Sequence, residues 1–265
     1  MILTLATYLC LGAFAGVIAG LFGIGGGLLI VPVLVFSFGF QGVSDNVATH
    51  AAIATSLACI VVTSISSTLA HQRHGAVRWD VFRYVAPGLI LGAFLGARIA
   101  GVLSGTELQI ALGIFVLFMA AQMMWNLIPT PTDASTPRLM HSGAGAFIGT
   151  LSSLFGIGGG VINVSYLHWR GMAIASAVAT SAACGIPIAL AATATNAIEG
   201  WGHPAMPSYS LGYIYLPALI GITLTSTPCA RLGANLAHAW PPKLLKRVFA
   251  LFLIIVGMYF LLRNV

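Results

Sequence analysis

Charge is scarce in this chain. Eleven Lys and Arg and five Asp and Glu are spread through 265 residues, 6% charged against 58% hydrophobic, whereas a soluble domain carries about 25% charged residues. That excludes an ordinary soluble fold and points to a polytopic membrane protein. The shortage is sharpest for carboxylates. Glu107 and Glu199 read as helix-end residues, and Asp45 and Asp80 as loop or cap positions. A relay of intramembrane Asp or Glu proton carriers is therefore not expected, nor is the acid–base constellation of a membrane enzyme. Cysteine is also sparse. Cys10, Cys59, Cys184 and Cys229 each lie in apolar surroundings without a second Cys or His at ligand spacing, which argues against a metal centre, a redox motif or a disulfide framework. No Walker A motif is present, so ATP is not the expected energy source, and no cofactor is expected. No Lys or Arg precedes the first apolar run, so that run reads as a membrane element and not as a cleavable signal. The net charge of +6 does not suggest nucleic acid, because the basic residues fall in short loops, where they orient a chain in the bilayer.

Glycine, by contrast, is abundant, and its placement is informative. Phe22-Gly-Ile-Gly-Gly-Gly27 recurs 133 residues later as Phe155-Gly-Ile-Gly-Gly-Gly160. Ala97-Arg98 and Ala230-Arg231 repeat at the same offset, and between them Ala54-Thr-Ser-Leu-Ala-Cys59 is echoed by Ala179-Thr-Ser-Ala-Ala-Cys184. Three matched motifs in one order mark an internal duplication. The boundaries follow: an N-terminal repeat over 1–128, a polar, proline-bearing linker over 129–138, and a C-terminal repeat over 139–265, the two repeats forming one bundle.

Apolar stretches of about 20 residues place spans at 47–70, 82–103, 107–128, 172–198, 209–232 and 244–262. The stretches 2–39 and 139–169 each contain a glycine break and read as a bent helix or a helical hairpin. The basic residues favour hairpins, because Arg73, Arg78, Arg83, Arg138, Arg170, Lys243, Lys246 and Arg247 then fall on one side of the membrane. The expected fold is an all-α polytopic membrane protein of two inverted repeats, each a glycine-broken helix or helical hairpin plus three transmembrane helices.

Broken helices are tolerated in lipid only where protein covers them or where they line a cavity. A helix restarting after such a break presents free N–H groups and the positive end of its dipole, which together suit an anion. Candidate substrate-binding residues are therefore Gly23, Gly25, Gly26 and Gly27 with Gly156, Gly158, Gly159 and Gly160, ahead of half-helices Leu28–Phe38 and Val161–Trp169. The plainer reading is close packing of helices through small residues. Thr55, Ser56, Thr180 and Ser181 are candidate neutral donors, although such hydroxyls often bond only to their own helix. Asn163, just past the second cluster, is a candidate ligand or a cap for the broken backbone. His50, Arg98 and Arg231 are candidate pathway or gate residues, with snorkelling to head groups as the plainer reading of the arginines. No metal site is expected.

At these residues the chain resembles the sulfite exporter TauE/SafE family of membrane transporters, over nearly its whole length. The match rests on Gly20-Leu-Phe-Gly-Ile-Gly-Gly-Gly-Leu-Leu-Ile-Val-Pro32, Ala54-Thr-Ser56 and Gly92-Ala-Phe-Leu-Gly-Ala-Arg98, echoed by Ser153-Leu-Phe-Gly-Ile-Gly-Gly-Gly160 and Thr180-Ser181. The resemblance implies a multi-pass protein of a prokaryotic cytoplasmic (inner) membrane that moves sulfite or small organosulfonates outward, without covalent catalysis. The expected partners are a sulfur-containing oxyanion and the lipid bilayer, and a homo-oligomer is compatible with the reading. The halves differ where the first has Ile30 and Pro32 and the second has Asn163 and Ser165. Permeation of another solute, such as a carboxylate or a metal ion, and a purely structural membrane subunit are the rival readings.

Overall fold

Two helices form in each glycine-broken stretch of the protein. A computed structural model describes residues 2–22, 27–125, 138–237 and 242–264. The first stretch gives α1 (Ile2–Phe22) and α2 (Gly27–Phe40), and the second gives α6 (Arg138–Leu154) and α7 (Gly160–Trp169). The others are α3 (Asp45–Arg73), α4 (Trp79–Val102), α5 (Gly105–Trp125), α8 (Ile174–Glu199), α9 (Leu216–Ala237) and α10 (Pro242–Asn264). Of the 129–138 linker, only Arg138, where α6 begins, lies within the described residues. Among the described residues, α3, α4, α5 and α8 are long and apolar enough to cross a bilayer. The chain is an all-α integral membrane protein, apart from one two-stranded hairpin.

That hairpin corrects one expected boundary. The span anticipated from 209 starts at Leu216, because β1 (Ser210–Leu211) and β2 (Ile214–Tyr215) pair antiparallel first. Tyr209 and Gly212 take left-handed backbone angles, φ 70° and 58°, which a helix does not accommodate.

Small residues set the helix packing. Gly88, Gly92 and Gly96 form a stripe along one face of α4. Added Cβ atoms there would strike the carbonyls of Ser142, Ala146 and Thr150 in turn, so α4 and α6 run parallel with their backbones in contact. Gly12 and Gly16 of α1 meet Ile222 and Ser226 of α9 in the same parallel sense. The larger further pairings are α5 with α10, α3 with α8, α4 with α8, α3 with α9, α2 with α3, α7 with α8 and α3 with α5, the last without a five-place counterpart of similar extent among the described residues. Shifting every helix by five places converts α1–α9 into α6–α4, α3–α9 into α8–α4 and α2–α3 into α7–α8. It leaves α3–α8 and α5–α10 unchanged.

The hairpin legs are pinned where they leave the bundle. Gln41 Nε2 donates to the Tyr8 hydroxyl at 2.6 Å, joining the start of α1 to the end of α2. The Tyr166 hydroxyl and His141 Nδ1 lie 2.9 Å apart and do the same for α7 and α6. The first pair of legs sits beside the start of α3, here termed the upper end. The second sits beside the start of α8, at the lower end, where α3 finishes.

Two threonines latch the helices that follow. Thr55 Oγ1 accepts the Tyr215 N–H at 3.0 Å, immediately before α9. Thr180 Oγ1 accepts the Arg78 N–H at 3.0 Å, at the N-cap of α4. Each satisfies a backbone donor that starts a helix and that has no acceptor within it.

Two outcomes are expected. Gly92→Val should lower stability by roughly 1–3 kcal/mol through overpacking against the α6 backbone, read as earlier thermal unfolding in detergent. Thr55→Val and Thr180→Val should each cost roughly 1–3 kcal/mol by leaving an N–H without its acceptor. Thr195→Val should cost little in the same assay, since Thr195 only bonds back to Ala191 O of its own helix.

Candidate functional site

The turn between α6 and α7 depends on two left-handed residues, Gly156 (φ 69°) and Gly159 (φ 72°), which glycine adopts without steric cost. Ile157 N donates back to Ser152 O at 2.8 Å, closing α6, and Gly159 then caps α7. The first turn of α7 begins with N–H groups that have no acceptor inside the helix.

The start of α2 lies against this turn. A Cβ on Gly27 would come within 2.8 Å of Gly156 O and 2.9 Å of Ile157 Cα. The α3 and α8 helices close around the meeting point. Ile60 packs so near Gly158 that a Cβ there would lie 2.7 Å from Ile60 Cγ2, and Gly185 faces both Ser64 Oγ and Gly158 O. Gly27, the last residue of the first glycine cluster, thus meets the second cluster between the two central helices.

A cavity of about 680 Å³ opens beside them. Gly27, Gly158 and Gly160 line it, with the hydroxyl residues Ser64, Ser181 and Ser226. Its mouth is at the lower end, where His71 and Arg73 of α3 reach its lining. Ser226 is buried, and its Oγ, also buried, has no partner among the described residues. Ser181 Oγ donates to Gly160 O at 3.1 Å. No charged side chain is needed to make this wall attractive to an anion: backbone N–H groups, a helix N-terminus and hydroxyls suffice.

Behind Gly159 lies a second polar spot. Asn163 is fully buried, and neither atom of its amide has a partner among the described residues. A Cβ on Gly159 would sit 2.8 Å from Asn163 Nδ2 and 3.2 Å from Ser152 Oγ, which is also unpartnered. This spot adjoins the cavity but is not part of its lining.

Of the residues singled out in the sequence, Gly27, Gly158, Gly160 and Ser181 come together on the cavity wall. Gly156 forms the contact between the clusters, and Gly159 and Asn163 sit behind it. Thr55 and Thr180 act in the latches, and Ser56 Oγ donates to Gly156 O at 2.8 Å; these three lie outside the lining. Gly23, Gly25 and Gly26 fall outside the described residues, as does the side chain of Arg231. His50 and Arg98 lie at the upper end, away from the mouth, with Arg98 paired to Glu199. The sequence reading passed over Ser64 and Ser226. Their signal was there in the hydroxyl runs Thr63-Ser-Ile-Ser-Ser-Thr68 and Thr225-Ser-Thr227, unusual in membrane helices.

Comparison with known proteins identifies relatives among membrane transporters. The family model for the sulfite exporter TauE/SafE matches residues 8–260. A probable membrane transporter protein of Haemophilus influenzae is 41% identical over 262 residues, covering 96% of this chain and 98% of its own. One from Methanocaldococcus jannaschii is 28% identical, covering 98% and 97%. A third, from Bacillus subtilis, is 31% identical over 58% of this chain and 63% of its own. No solved structure matches the chain. With its family model matched across nearly every described helix, the chain belongs to the TauE/SafE sulfite exporter family of membrane transporters.

Proposed function

We infer that the protein exports sulfite or small organosulfonates across the cytoplasmic (inner) membrane of a prokaryote, as a multi-pass secondary transporter working by alternating access. The observation that carries this reading is the meeting of Gly27 with the second glycine cluster at the wall of a cavity that Ser226 also lines. A sulfur oxyanion presents several acceptor oxygens to the α7 N–H groups and the Ser226 hydroxyl, while Ser181 holds the Gly160 carbonyl. Because these donors are neutral, the anion is held without an ion pair and can leave again. The volume, within the range of small-molecule sites, leaves room for the organic part of a sulfonate.

The orientation follows from charge. Arg73, Arg78, Arg83 and Arg170 lie at the lower end, together with the start of α10, which carries Lys243, Lys246 and Arg247. At the upper end, Arg98 and Arg263 are each paired to a carboxylate, Glu199 and Asp45. The positive-inside rule makes the lower end cytoplasmic, so the cavity faces inward and Arg73 and His71 attract the anion at its mouth. The five-place symmetry of the packing, with hairpins leaving at opposite ends, supports two inverted repeats over 1–128 and 139–265. Rocking one repeat against the other would expose the wall to the far side. An interior-negative potential drives outward anion movement by about 2.3 kcal/mol per charge per 100 mV.

Labelled-sulfite flux in proteoliposomes tests the reading. Wild-type protein should carry sulfite, with competition from sulfoacetate and not from acetate. Ser226→Ala should raise the half-saturating concentration by about tenfold, the order expected for one hydrogen bond to a charged group. No flux of any sulfur oxyanion would overturn the substrate assignment, and unchanged Ser226→Ala kinetics would remove Ser226 from the site.

A further inference from the structure

His50 is the one buried imidazole among the residues described as buried, and its surroundings are chemically lopsided. It lies on the first turns of α3, at the upper end opposite the cavity mouth. Its Nδ1 is 3.0 Å from Asn46 O, and its Nε2 is 3.0 Å from Ala100 O and 3.1 Å from Leu103 O. Both ring nitrogens therefore face backbone carbonyls, which only accept. A neutral imidazole has one N–H and one lone pair. In either tautomer it would set that lone pair against a carbonyl oxygen at hydrogen-bond distance. Only the doubly protonated ring donates on both sides.

The neighbourhood supports a cation there. Ala100 and Leu103 carry carbonyls at the C-terminus of α4, the negative end of its dipole. The Ser104 N–H, which would otherwise continue the helix to Ala100 O, is drawn off to Glu107 Oε2 at 2.8 Å. That leaves the Ala100 carbonyl to His50. The Tyr213 ring stacks on the imidazole at 5.3 Å between centroids, a face that attracts a cation. The Tyr213 phenol is held above its ordinary range by burial and by the Glu199 charge, so it stays neutral. The remaining titratable groups near this face are His203, whose ring lies 5.7 Å from that of Tyr213, the Glu199–Arg98 pair, Glu107 on Ser104, and Asp45, paired with Arg263 at 2.8 Å.

We propose that His50 is a proton-binding site whose imidazolium locks the upper end of the transporter shut, by bridging α3 to the end of α4 under the Tyr213 hairpin. Proton binding favours the closed upper end. When the proton leaves to water on that side, one ring nitrogen loses its donor, the lone pair repels its carbonyl, and the hairpin is released from α3. The sign follows: acid holds the end closed, and loss of the proton as pH rises weakens the lock. This rests on the alternating access inferred above, since the upper end is read as a gate.

The test uses no substrate, so it fails or succeeds apart from the sulfite assignment. Ala54 is buried one turn below His50, in contact with the Tyr213–Ile214 face. Ala54→Cys, in a background with Cys10, Cys59, Cys184 and Cys229 replaced by serine or alanine, is labelled with maleimide in nanodiscs. The rate is divided by that of Ser208→Cys, an exposed position, to cancel the thiol's own pH response. Between about pH 5.5 and about pH 8 the ratio should rise at least about fivefold with His50 present. His50→Gln should give a high, flat ratio and His50→Arg a low, flat one, so either variant suffices if the other does not fold. A flat ratio with His50 present, or an undiminished pH response in a folded variant, overturns the proposal.

Discussion

Inside a bilayer, a backbone group without a partner has no water to turn to, and the glycine breaks put several such groups at the middle of this protein. The surrounding helices answer that constraint. Ser56 of α3 donates to Gly156 O, Ser181 of α8 to Gly160 O, and Ile157 N turns back onto Ser152 O. The Ala-Thr-Ser motifs and the Gly-Ile-Gly-Gly-Gly motifs are thus parts of one device. The serines stabilise the interrupted backbone, and the threonines next to them fix the helices that flank it. With these partners in place, Gly160 at the start of α7 lies on the cavity wall.

The glycine contact lies between two differently built ends. Below the glycine contact, α3 carries hydroxyls along the cavity and ends in His71 and Arg73 at its mouth. Above it, α3 is held by His50, by the Tyr213 hairpin and by the Asp45–Arg263 pair. One long helix therefore reads both faces, and a change in how its upper turns are held is well placed to alter what its lower turns line. Parallel backbone contacts, α4 on α6 and α1 on α9, pack each hairpin against a helix of the other half.

Much of this was legible in the sequence. Long apolar runs marked α3, α4, α5, α8 and α10, and the duplicated glycine clusters marked the two breaks. The strand pair at 210–215 was not, because Tyr209 to Tyr215 is as apolar as the start of a helix, and a short apolar run does not distinguish the two. The duplicated hydroxyls were found, but their roles were not. Whether Thr55 faces a ligand or the Tyr215 N–H is decided by packing across 160 residues of chain. Ser226 and Ser64 carry no mark of duplication: Ser226 has Ala93 at the 133-residue offset, and Ser64 has Ala189 at the 125-residue offset of the Ala-Thr-Ser motifs. The cavity's hydroxyls are not symmetric, although the frame that holds them is.

The most direct measurement is an experimental structure with a heavy-atom mimic of the anion, selenite, located by its anomalous signal. The selenium should lie in the cavity beside Ser226 and the Gly158–Gly160 start of α7, with Gly27 still against Gly156. Selenium found only outside that cavity, or glycine clusters held apart with intact helix between them, would contradict the account.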